Sequence, residues 1–442
     1  MTRQIWIIGG NIAGLITAIR LLPYGFRIHI LERPAPPGII DQIEVVPPVW
    51  PGFFHGTWSL LQELSLPSDL PAFRPGPIEF WSAKGQRHSI PRLPLFSRFH
   101  VFPELLLFGG LSWRDRVHLL NAVEKDWEIR RPHEAIPDIR TAESWVTRAN
   151  QSEVARQQFW NPLCRWLLGC DLAEGSLHMF LNILARYARG TATDTQWFFG
   201  TPSTMPDLKI GLRERLIKQG VQFRPCTNYP PFQFGTGQTE ALSLADDTFS
   251  PSDAFVAALP PEEILPLLPE RALTKFAQLD QMAKVTHQTQ SLISFRVPNI
   301  QLAPSLILGL PTIDWLTIRP SELSPSSETH LNCVVQATPE ELQLENYRKI
   351  EKIWSVLQQF LPLPPGLPLT ACNLELVPHR LRRFPATSGS RAFRPHTSGP
   401  ISNLFFAGSW TAASLPPSME SLVESANSCA EAIAHRFFSG LR

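Results

Sequence analysis

The sequence has few of the residues that mark a metal-binding, disulfide-bonded or nucleic-acid-binding protein. Its six cysteines lie far apart and form no Cys-x-x-Cys pair. We therefore expect reduced core thiols, with neither a disulfide framework nor a structural metal. Neither sign of charge is in excess, because 40 basic residues stand against 39 acidic ones. This balance excludes the strong field that attracts nucleic acid.

Two kinds of hydrophobic segment are also missing. No basic, apolar and small-residue leader precedes the first strand, which predicts a chain without a secretory signal and a cytoplasmic location. Leu93 and Leu111 bound a long apolar stretch, but polar residues and a proline interrupt it, namely Arg98, His100, Pro103 and Glu104. A spanning helix needs roughly 20 apolar residues without such breaks. We therefore expect a chain that does not cross a bilayer.

Charged residues and tyrosines are scarce as well. Charged residues make up 18% of the chain, against roughly 25% in ordinary soluble domains. Phe (27) and Trp (13) far outnumber Tyr (4). This balance indicates a large apolar ligand cavity, a surface that touches lipid or a bulky aromatic core, and composition does not choose among them. The 442 residues suffice for two lobes, because single cores stop growing at roughly 250–300 residues.

What the sequence does have begins at its start. The stretch "QIWIIGGNIAGLITAIRLLPYGFRIHILE" predicts a strand over residues 4–8, a helix over residues 12–22 and a strand over residues 27–31. A β-α-β unit of this kind, with glycines between the first strand and the helix, binds the phosphates of a dinucleotide at the helix N-terminus.

The three glycine places of this turn hold Gly9, Asn11 and Gly14. The first glycine permits the tight turn, the second lets a diphosphate approach the backbone, and the third lets the helix pack on the strand. Asn11 crowds the approach, although its amide is able to donate to a phosphate. Glu32, at the end of the second strand, is placed to accept hydrogen bonds from a ribose.

Further motifs run through the rest of the chain. "NLFFAGSW" continues into "PSMESLVESA" near the end, and "RTAESWV", "FWNPLCRWLL", "STMPDLKIGLRERLIKQG", "DAFVAALPP" and "RAFRP" stand between. On these motifs the sequence resembles the FAD-dependent amine oxidase and carotenoid desaturase superfamily. Within it, the sequence is most similar to the plant-type phytoene and zeta-carotene desaturases and to hydroxysqualene dehydroxylase.

The resemblance covers nearly the whole chain and implies an α/β fold of the amine oxidase and desaturase type. A discontinuous Rossmann-like FAD-binding domain would consist of residues 1–75, 200–283 and 375–442. A second, α+β domain that binds the substrate and includes a helical block would consist of residues 76–199 and 284–374.

The resemblance also implies FAD as the cofactor, and a long isoprenoid in a tunnel beneath the flavin that is reached from a membrane surface. The candidate cofactor-binding residues lie in the glycine turn, at the end of the second strand and around the last strand and helix. They are Gly9, Asn11, Ile12, Ala13, Gly14, Glu32, Arg33, Gly408, Ser409, Met419 and Glu420.

Several positions depart from the family pattern around this one ligand. They are Asn11, the stretch "PAPPGII" in place of Gly-Gly-Arg, Ser409 in place of an aspartate, and Ser421 and Ala426 in place of two glycines. Losing one hydrogen bond costs roughly 0.5–1.5 kcal/mol, so several losses total on the order of 3–6 kcal/mol, or two to four decades of affinity. A site that binds flavin tightly stays occupied after such a loss of affinity, whereas a site of moderate affinity does not.

Three residues are candidates for the substrate site. His55 and Trp58 lie in "FFHGTWSLL", where relatives carry a His-Gly segment near the flavin, and Arg394 lies in "RAFRP". A structural histidine and a salt-bridged arginine are the alternatives. Lys284 suggests the flavin-facing lysine of amine oxidases, but its distance from Phe295 does not fit, which makes amine oxidation the third choice.

We therefore predict an FAD-dependent oxidoreductase that acts by hydride transfer on a long apolar isoprenoid or carotenoid precursor. Such a substrate has no polar handle, so the protein contributes mainly placement. Residues 93–111 either lie in a membrane interface, making the protein peripheral, or roof the tunnel as core. The alternative is a flavin-free protein of the same fold that binds a pigment, a lipid or a protein partner.

Overall fold

The computed structural model describes residues 3–33, 40–64, 73–82, 85–91, 101–125, 138–234, 242–244, 254–320, 328–336 and 346–438. Its helices are α1 (Ile12–Leu21), α2 (Gln42–Val45), α3 (His55–Glu63), α4 (Val101–Leu107), α5 (Trp113–Lys125), α6 (Ala142–Arg148), α7 (Glu153–Ala155), α8 (Asn161–Leu168), α9 (Leu177–Arg189), α10 (Thr204–Lys218), α11 (Pro261–Ile264), α12 (Glu270–Lys275), α13 (Ala277–Gln281), α14 (Asn346–Phe360) and α15 (Met419–Phe438).

The strands are β1 (Gln4–Ile8), β2 (Arg27–Glu32), β3 (Ile40–Asp41), β4 (Val49–Pro51), β5 (Arg74–Gly76), β6 (Ile78–Trp81), β7 (Arg87–Ser89), β8 (Trp197–Phe199), β9 (Gln222–Pro225), β10 (Phe232–Phe234), β11 (Leu242–Leu244), β12 (Ala254–Ala257), β13 (Gln288–Pro298), β14 (Ser305–Leu308), β15 (Trp315–Pro320), β16 (Glu328–Gln336), β17 (Asn373–Arg383) and β18 (Leu404–Phe406).

A parallel sheet carries the glycine turn. Its strands within the described residues stand in the order β18-β12-β1-β2-β9, and all four pairings are parallel. β1 and β12 are almost wholly apolar and buried, as expected for parallel strands covered on both faces. The predicted β-α-β unit is confirmed, and the sheet and helices together confirm the α/β class.

Helices cover both faces of this sheet. α1, α3, α10 and α15 contribute buried side chains to one core, among them Leu15, Leu60, Leu212 and Val423. The other face is covered by α11 to α13, through Ile264, Ala272 and Leu279. α10 ends before Gly220, whose φ of +82° permits the reversal into β9.

A second, mixed sheet forms the other layer. Its strands within the described chain stand in the order β3-β17-β13-β16-β15-β14-β6-β7. β13, β15 and β16 pair antiparallel, which confirms the strands predicted from "QSLISFRV", "DWLTIRP" and "THLNCVVQA". α14 packs on this sheet through Ile350, Trp354 and Leu357. β17 runs across residue 375, where one boundary between the two domains was predicted, and it pairs in this sheet on both sides of that residue. The predicted domain boundaries stay a prediction.

A helical block, α4 to α9, follows β7 in the chain and confirms the helical stretch predicted near residues 105–190. A π-helical turn (Arg156–Trp160) joins α7 to α8. Aromatic side chains fill this block: Trp145 and Trp160 pack edge to face at 5.5 Å, and Phe80 of the large sheet contacts Phe159 at 4.6 Å. Much of the aromatic excess is therefore core.

Candidate functional site

The first and third glycines of the turn are required by the packing of the backbone. Gly9 has a φ of +115°, and a Cβ there would lie 2.9 Å from the carbonyl oxygen of Ala258. A Cβ on Gly14 would lie 2.1 Å from the carbonyl oxygen of Gly9. Larger side chains do not fit at either place, so the turn keeps the steric design of a nucleotide-binding motif.

Asn11 is the N-cap of α1. Its Oδ1 accepts a hydrogen bond from the backbone N–H of Gly14 at 3.0 Å, and its Nδ2 donates to the carbonyl oxygen of Ala258 at 2.5 Å. The side chain thus satisfies one of the free N–H groups of the helix and ties the turn to the end of β12. Both polar atoms of the amide are engaged inside the protein.

A cavity of about 260 Å³ runs along the turn. Its walls include Gly9, Asn11, Ala13, Glu32 and Arg33 on one side and Gly408, Ser409, Trp410 and Leu422 on the other. Two separate stretches of the sequence, predicted to bind the same cofactor, therefore face one groove. The structure brings most of the candidate cofactor residues together, and their roles stay a prediction.

Charged pairs line this groove. Arg213 of α10 forms a bidentate pair with Glu32, its Nη2 donating to Oε1 at 2.7 Å. Arg33 donates to Glu263 at 2.9 Å. Glu32 therefore stands beside the turn as expected, but its carboxylate is shared with an arginine.

The N-terminus of α1 carries a carboxylate of the same chain. The backbone N–H of Ile12 donates to Oε1 of Glu44 at 3.1 Å, and Lys209 of α10 donates to Oε2 of Glu44 at 2.9 Å. Helix N-termini favour anions because their N–H groups are unpaired and the helix dipole is positive there. Glu44 thus lies where the family places a diphosphate.

A second cavity, of about 160 Å³, adjoins the groove. The two share Asp41, Ile43, Arg382 and Ser409 in their walls. Several buried aromatic side chains line it, among them Trp50, Phe53, Phe54, Trp197 and Trp315. Met419, at the start of α15, also lines this cavity.

A third cavity, of about 110 Å³, adjoins the second. Leu167, Ile183 and Trp197 line both. Most of its wall residues belong to the helical block, Ile78 of β6 and Trp197 of β8 are among the others, and nearly the whole surface is apolar. The groove of the glycine turn, an aromatic chamber and an apolar chamber thus lie next to one another in that order.

Burial shifts the titration of two charged groups in the aromatic chamber. Desolvation, together with the nearby Glu44, raises the pKa of Asp41 to about 6. Desolvation lowers the pKa of Arg383 to about 10. The guanidinium of Arg383 lies 4.8 Å from the centre of the Trp315 ring, and its Nη2 donates to the backbone carbonyl of Trp166.

The turn after β18 is shaped by Gly408. Its φ is +157°, and a Cβ there would lie 2.4 Å from Nε1 of Trp410. Its backbone N–H donates to Oγ of Ser425 at 3.1 Å. The hydroxyl of Ser421 donates to the carbonyl oxygen of Ser418 at 2.9 Å. This serine therefore stabilises the start of α15.

Glu420 is buried and binds another helix. Its Oε1 accepts from the N–H of Gly56 at 3.0 Å, and its Oε2 accepts from the N–H and the hydroxyl of Thr57, both at 2.8 Å. These donors belong to the first turn of α3, so the carboxylate caps that helix. The cofactor role predicted for Glu420 stays a prediction.

The candidate substrate residues lie apart from the three cavities. The His55 side chain is 73% exposed and pairs with Asp194 at 2.8 Å. Trp58 donates to the carbonyl oxygen of Pro51 at 3.0 Å. Arg394 is buried, its Nη2 donates to the carbonyl oxygen of Pro385 at 3.0 Å, and desolvation lowers its pKa to about 10. Their packing accounts for all three, and their substrate roles stay predictions.

Lys284 faces an aromatic ring, with its Nζ 5.0 Å from the centre of the Phe393 ring. It does not line the described cavities. This placement agrees with the low rank that the sequence gave to amine oxidation through this lysine.

The stretch of residues 93–111 is described only from residue 101. Phe108 and Leu111 are buried in the core, whereas Leu107 is 61% exposed. Leu105 lines the apolar chamber. The described part therefore both roofs the chamber and presents an apolar side chain outward. Among the helices that the structure describes, none has the length and hydropathy to span a bilayer.

The sequence matches the family described as "Flavin containing amine oxidoreductase" over residues 51–434. The chain belongs to this family. It is accordingly an FAD-dependent oxidoreductase of the α/β amine oxidase fold, which confirms the predicted superfamily and enzyme class. The glycine turn and Glu44 precede the matched range.

Named relatives agree with this assignment. The zeta-carotene desaturase of Arabidopsis thaliana is 23% identical, with 94% of this chain and 82% of that protein covered. The hydroxysqualene dehydroxylase of Rhodopseudomonas palustris is 28% identical over 46% of this chain and 47% of that protein. The solved structure of an oxidoreductase from Methanosarcina mazei has a TM-score of 0.69 and 16% identity, and covers 97% of this chain and 100% of that chain. Such a structural likeness shows the fold.

The residues around the groove fit FAD in shape. Gly9, Gly10 and Gly408 put backbone without side chains in the wall of the groove, and Glu32 and Ser409 offer polar groups along it. Gly38 of "PAPPGII" lies outside the described residues. One feature opposes the fit: Glu44 is bonded at the diphosphate end.

The sequence did not reveal several charged residues of the site. They are Glu44, Lys209, Arg213 and Arg382 in the groove, and Arg383 in the aromatic chamber. A signal for two of them was present, because Lys209 and Arg213 stand four residues apart on one predicted helix and share a face. That this face turns toward the glycine turn depends on how α10 packs, which no local pattern predicts.

Proposed function

We propose that this protein binds FAD along the glycine turn and the aromatic chamber, and exchanges a hydride with a long apolar isoprenoid held in the apolar chamber. The observation that carries the proposal is the adjacency of the three cavities, which share wall residues in sequence from the groove at Gly9 to the helical block. A polar groove followed by an apolar chamber suits a nucleotide cofactor next to a hydrocarbon substrate.

The protein's own contribution is placement and the exclusion of water. Phe53, Phe54 and Trp197 are buried and wall the chamber between the groove and the apolar end. When bound, FAD supplies the acceptance or delivery of a hydride. Near-attack placement of a substrate without polar handles relies on shape, and a dry aromatic chamber supplies it.

The relatives guide the choice of substrate class. One relative is named a zeta-carotene desaturase and another a hydroxysqualene dehydroxylase; both names denote isoprenoid substrates. The apolar walls of the third cavity, which include Leu163, Leu184 and Phe159, support the same class for this chain. The direction of electron flow is left to experiment.

We also propose that the substrate enters from a membrane surface beside α4. Leu107 at the end of α4 and Trp113 at the start of α5 are 61% and 66% exposed. Leu105 of the same helix reaches the apolar chamber. An apolar substrate leaves a membrane most readily where exposed apolar side chains adjoin its binding chamber.

The test is anaerobic half-reaction spectroscopy on the FAD-loaded protein. Zeta-carotene is offered to the oxidised flavin and hydroxysqualene to the reduced flavin, and cyclohexylamine is offered to the oxidised flavin as the amine control. We expect one of the isoprenoids to change the redox state of the flavin and the amine to leave it unchanged. A response to the amine alone would refute the proposed substrate class.

A matched variant locates the substrate. Ile183 lines both the aromatic and the apolar chamber, and Ile183→Trp would fill their junction. We expect the isoprenoid reaction to slow at least tenfold, because the chain no longer reaches the flavin. Ile183 also lines the chamber in which we place part of the cofactor, so the FAD content is measured alongside. Leu184→Trp, which alters the apolar chamber alone, should slow the same reaction with the FAD content unchanged.

A further inference from the structure

The groove of the glycine turn contains an anion site that the chain fills itself. One oxygen of Glu44 accepts from the first N–H of α1, that of Ile12, at 3.1 Å. The other oxygen accepts from Lys209 at 2.9 Å. A carboxylate held by a helix N-terminus and a lysine has the surroundings that a phosphate group takes in nucleotide sites.

Both partners belong to the wall of the groove. Glu44, Lys209, Gly9 and Glu32 line the same cavity of about 260 Å³. The Glu44 side chain is 19% exposed and that of Lys209 is 42% exposed. The pair is therefore reached from the groove, and a ligand in the groove meets it directly.

The described part of the segment that carries Glu44 contains only short elements. α2 has four residues, and its N-cap Asp41 accepts from the N–H of Ile43 at 3.0 Å. β3, before it, pairs with β17 through residues 40 and 41 alone. Rotation of the Glu44 side chain, or a small shift of this one-turn helix, frees the N–H of Ile12 without disturbing either sheet.

From this arrangement, and resting on the proposed function, we infer that Glu44 is a built-in competitor for the diphosphate of FAD. When FAD binds, the carboxylate leaves the N-terminus of α1, and Lys209 changes partner from Glu44 to the diphosphate. Lys209 is then a cofactor ligand that the glycine motif does not predict, and Glu44 sets how tightly the cofactor is held.

The first test compares ligand affinities of the full-length protein and Glu44→Gln by titration calorimetry. Glutamine keeps the size of the side chain and removes its charge. We expect about tenfold tighter binding of FAD and of ADP, because the competing anion is weakened. Riboflavin, which has no phosphate, should bind both proteins equally.

The second test isolates Lys209. In the Glu44→Gln background, Lys209→Met should weaken FAD and ADP about tenfold, because the lysine then has no role other than binding the diphosphate. If Lys209 serves only to hold Glu44, this second change has no effect on either ligand, and the inference is overturned.

Glu63→Gln is the matched control. Glu63 is paired with Arg20 and lies on α3, and it does not line the groove. We expect its FAD affinity and ADP affinity to equal those of the unmodified protein. A gain equal to that of Glu44→Gln would mean that removing any surface carboxylate suffices, and would overturn the inference.

The outcomes separate this inference from the proposed function. Equal FAD and ADP affinity in the unmodified protein and Glu44→Gln overturns the inference and leaves FAD binding intact. No FAD binding by either protein, with tighter ADP binding by Glu44→Gln, overturns the proposed function and supports the inference only as competition between Glu44 and the diphosphate of a different nucleotide. No binding of FAD or ADP by either protein overturns both.

Discussion

At the level of single residues, the side chain of Asn11 accepts a hydrogen bond from the start of α1, where a glycine turn usually leaves the N–H groups to a ligand. Its amide satisfies the N–H of Gly14 and reaches across to Ala258. The departure from the glycine pattern is thus a helix cap, and it leaves the steric requirement at Gly9 and Gly14 untouched. A sequence comparison registers only the missing glycine.

The contribution of this cap to the free energy of unfolding is measurable. Asn11→Ala should lower the free energy of unfolding by about 1 kcal/mol, because an N-cap bond is lost, and Asn11→Gly should lower it by only about a few tenths of a kcal/mol. Urea denaturation of the two variants and the unmodified protein measures this. An Asn11→Ala variant as stable as the unmodified protein would show that the amide bonds contribute nothing net.

The raised pKa of Asp41 predicts a pH dependence. The folded pKa of about 6 exceeds the unfolded value of about 3.9, so the folded chain binds more protons between these values. The free energy of unfolding that Asp41 contributes should therefore fall as pH rises from 4 to 6, by roughly 1–3 kcal/mol. Asp41→Asn, which keeps a capping side chain, should lack this loss.

Urea denaturation from pH 4 to 7 tests that expectation through the difference between the two proteins. His29 titrates in the same range, because burial and two arginines lower its pKa to about 4. Its contribution to the free energy of unfolding rises with pH, and it cancels in the difference because both proteins contain it. Parallel curves for the two proteins would contradict the prediction.

At the level of elements, the contact between α15 and α3 orders the region beside the aromatic chamber. Both oxygens of Glu420 bind the first turn of α3, and Met419 beside it lines that chamber. The sequence motif places Glu420 at the cofactor, whereas the carboxylate in the structure completes a neighbouring helix. An acid at the start of a helix fits both roles, so the motif alone does not separate them.

Glu420→Gln should destabilise the fold. A buried carboxylate with three hydrogen bonds is replaced by an amide that leaves a donor unmatched, and the expected loss is about 2 kcal/mol in the free energy of unfolding. Glu424→Gln on the same helix is the control, because its pair with Arg186 is partly exposed and is worth at most about 1 kcal/mol. Equal losses in the two variants would argue against the capping role.

Local patterns predicted these elements well. β1, α1 and β2 followed from apolar periodicity and the glycine turn, and α10 from its amphipathic pattern and Gly220. Of the candidate site, only the part formed by a single local segment, the glycine turn, was predictable from the sequence. Asp41, Trp197 and Ser409 line one cavity although they are far apart in the sequence, and their meeting is decided by the packing of the two sheets.

At the scale of the whole molecule, the nucleotide groove and the apolar chamber are joined through side chains from distant segments. The aromatic excess seen in the composition has two places: part of it fills the helical block, and part of it lines the cavity between the groove and the apolar chamber. Exposed apolar side chains near α4 lie at the far end, beside the apolar chamber. Composition left three explanations open: an apolar ligand cavity, a surface that touches lipid and an aromatic core. The structure shows aromatic side chains both in the core and in the wall of a cavity.

Membrane contact near α4 gives a prediction at this scale. Leu107→Gln combined with Trp113→Gln should abolish most co-sedimentation with phospholipid vesicles while leaving the melting temperature unchanged, because both side chains are largely exposed. Ile210→Gln, which alters a 55% exposed residue of α10, should bind vesicles as the unmodified protein does. Vesicle binding that survives the double change would place the contact elsewhere.

The central claim is that the groove beginning at Gly9 holds FAD. The direct measurement is to incubate the purified protein with FAD, remove the free cofactor by gel filtration, denature the protein and identify what is released. The account predicts an equimolar amount of FAD, and a larger retained fraction for Glu44→Gln after stringent washing. Release of a carotenoid or of nothing, in both proteins, would contradict it.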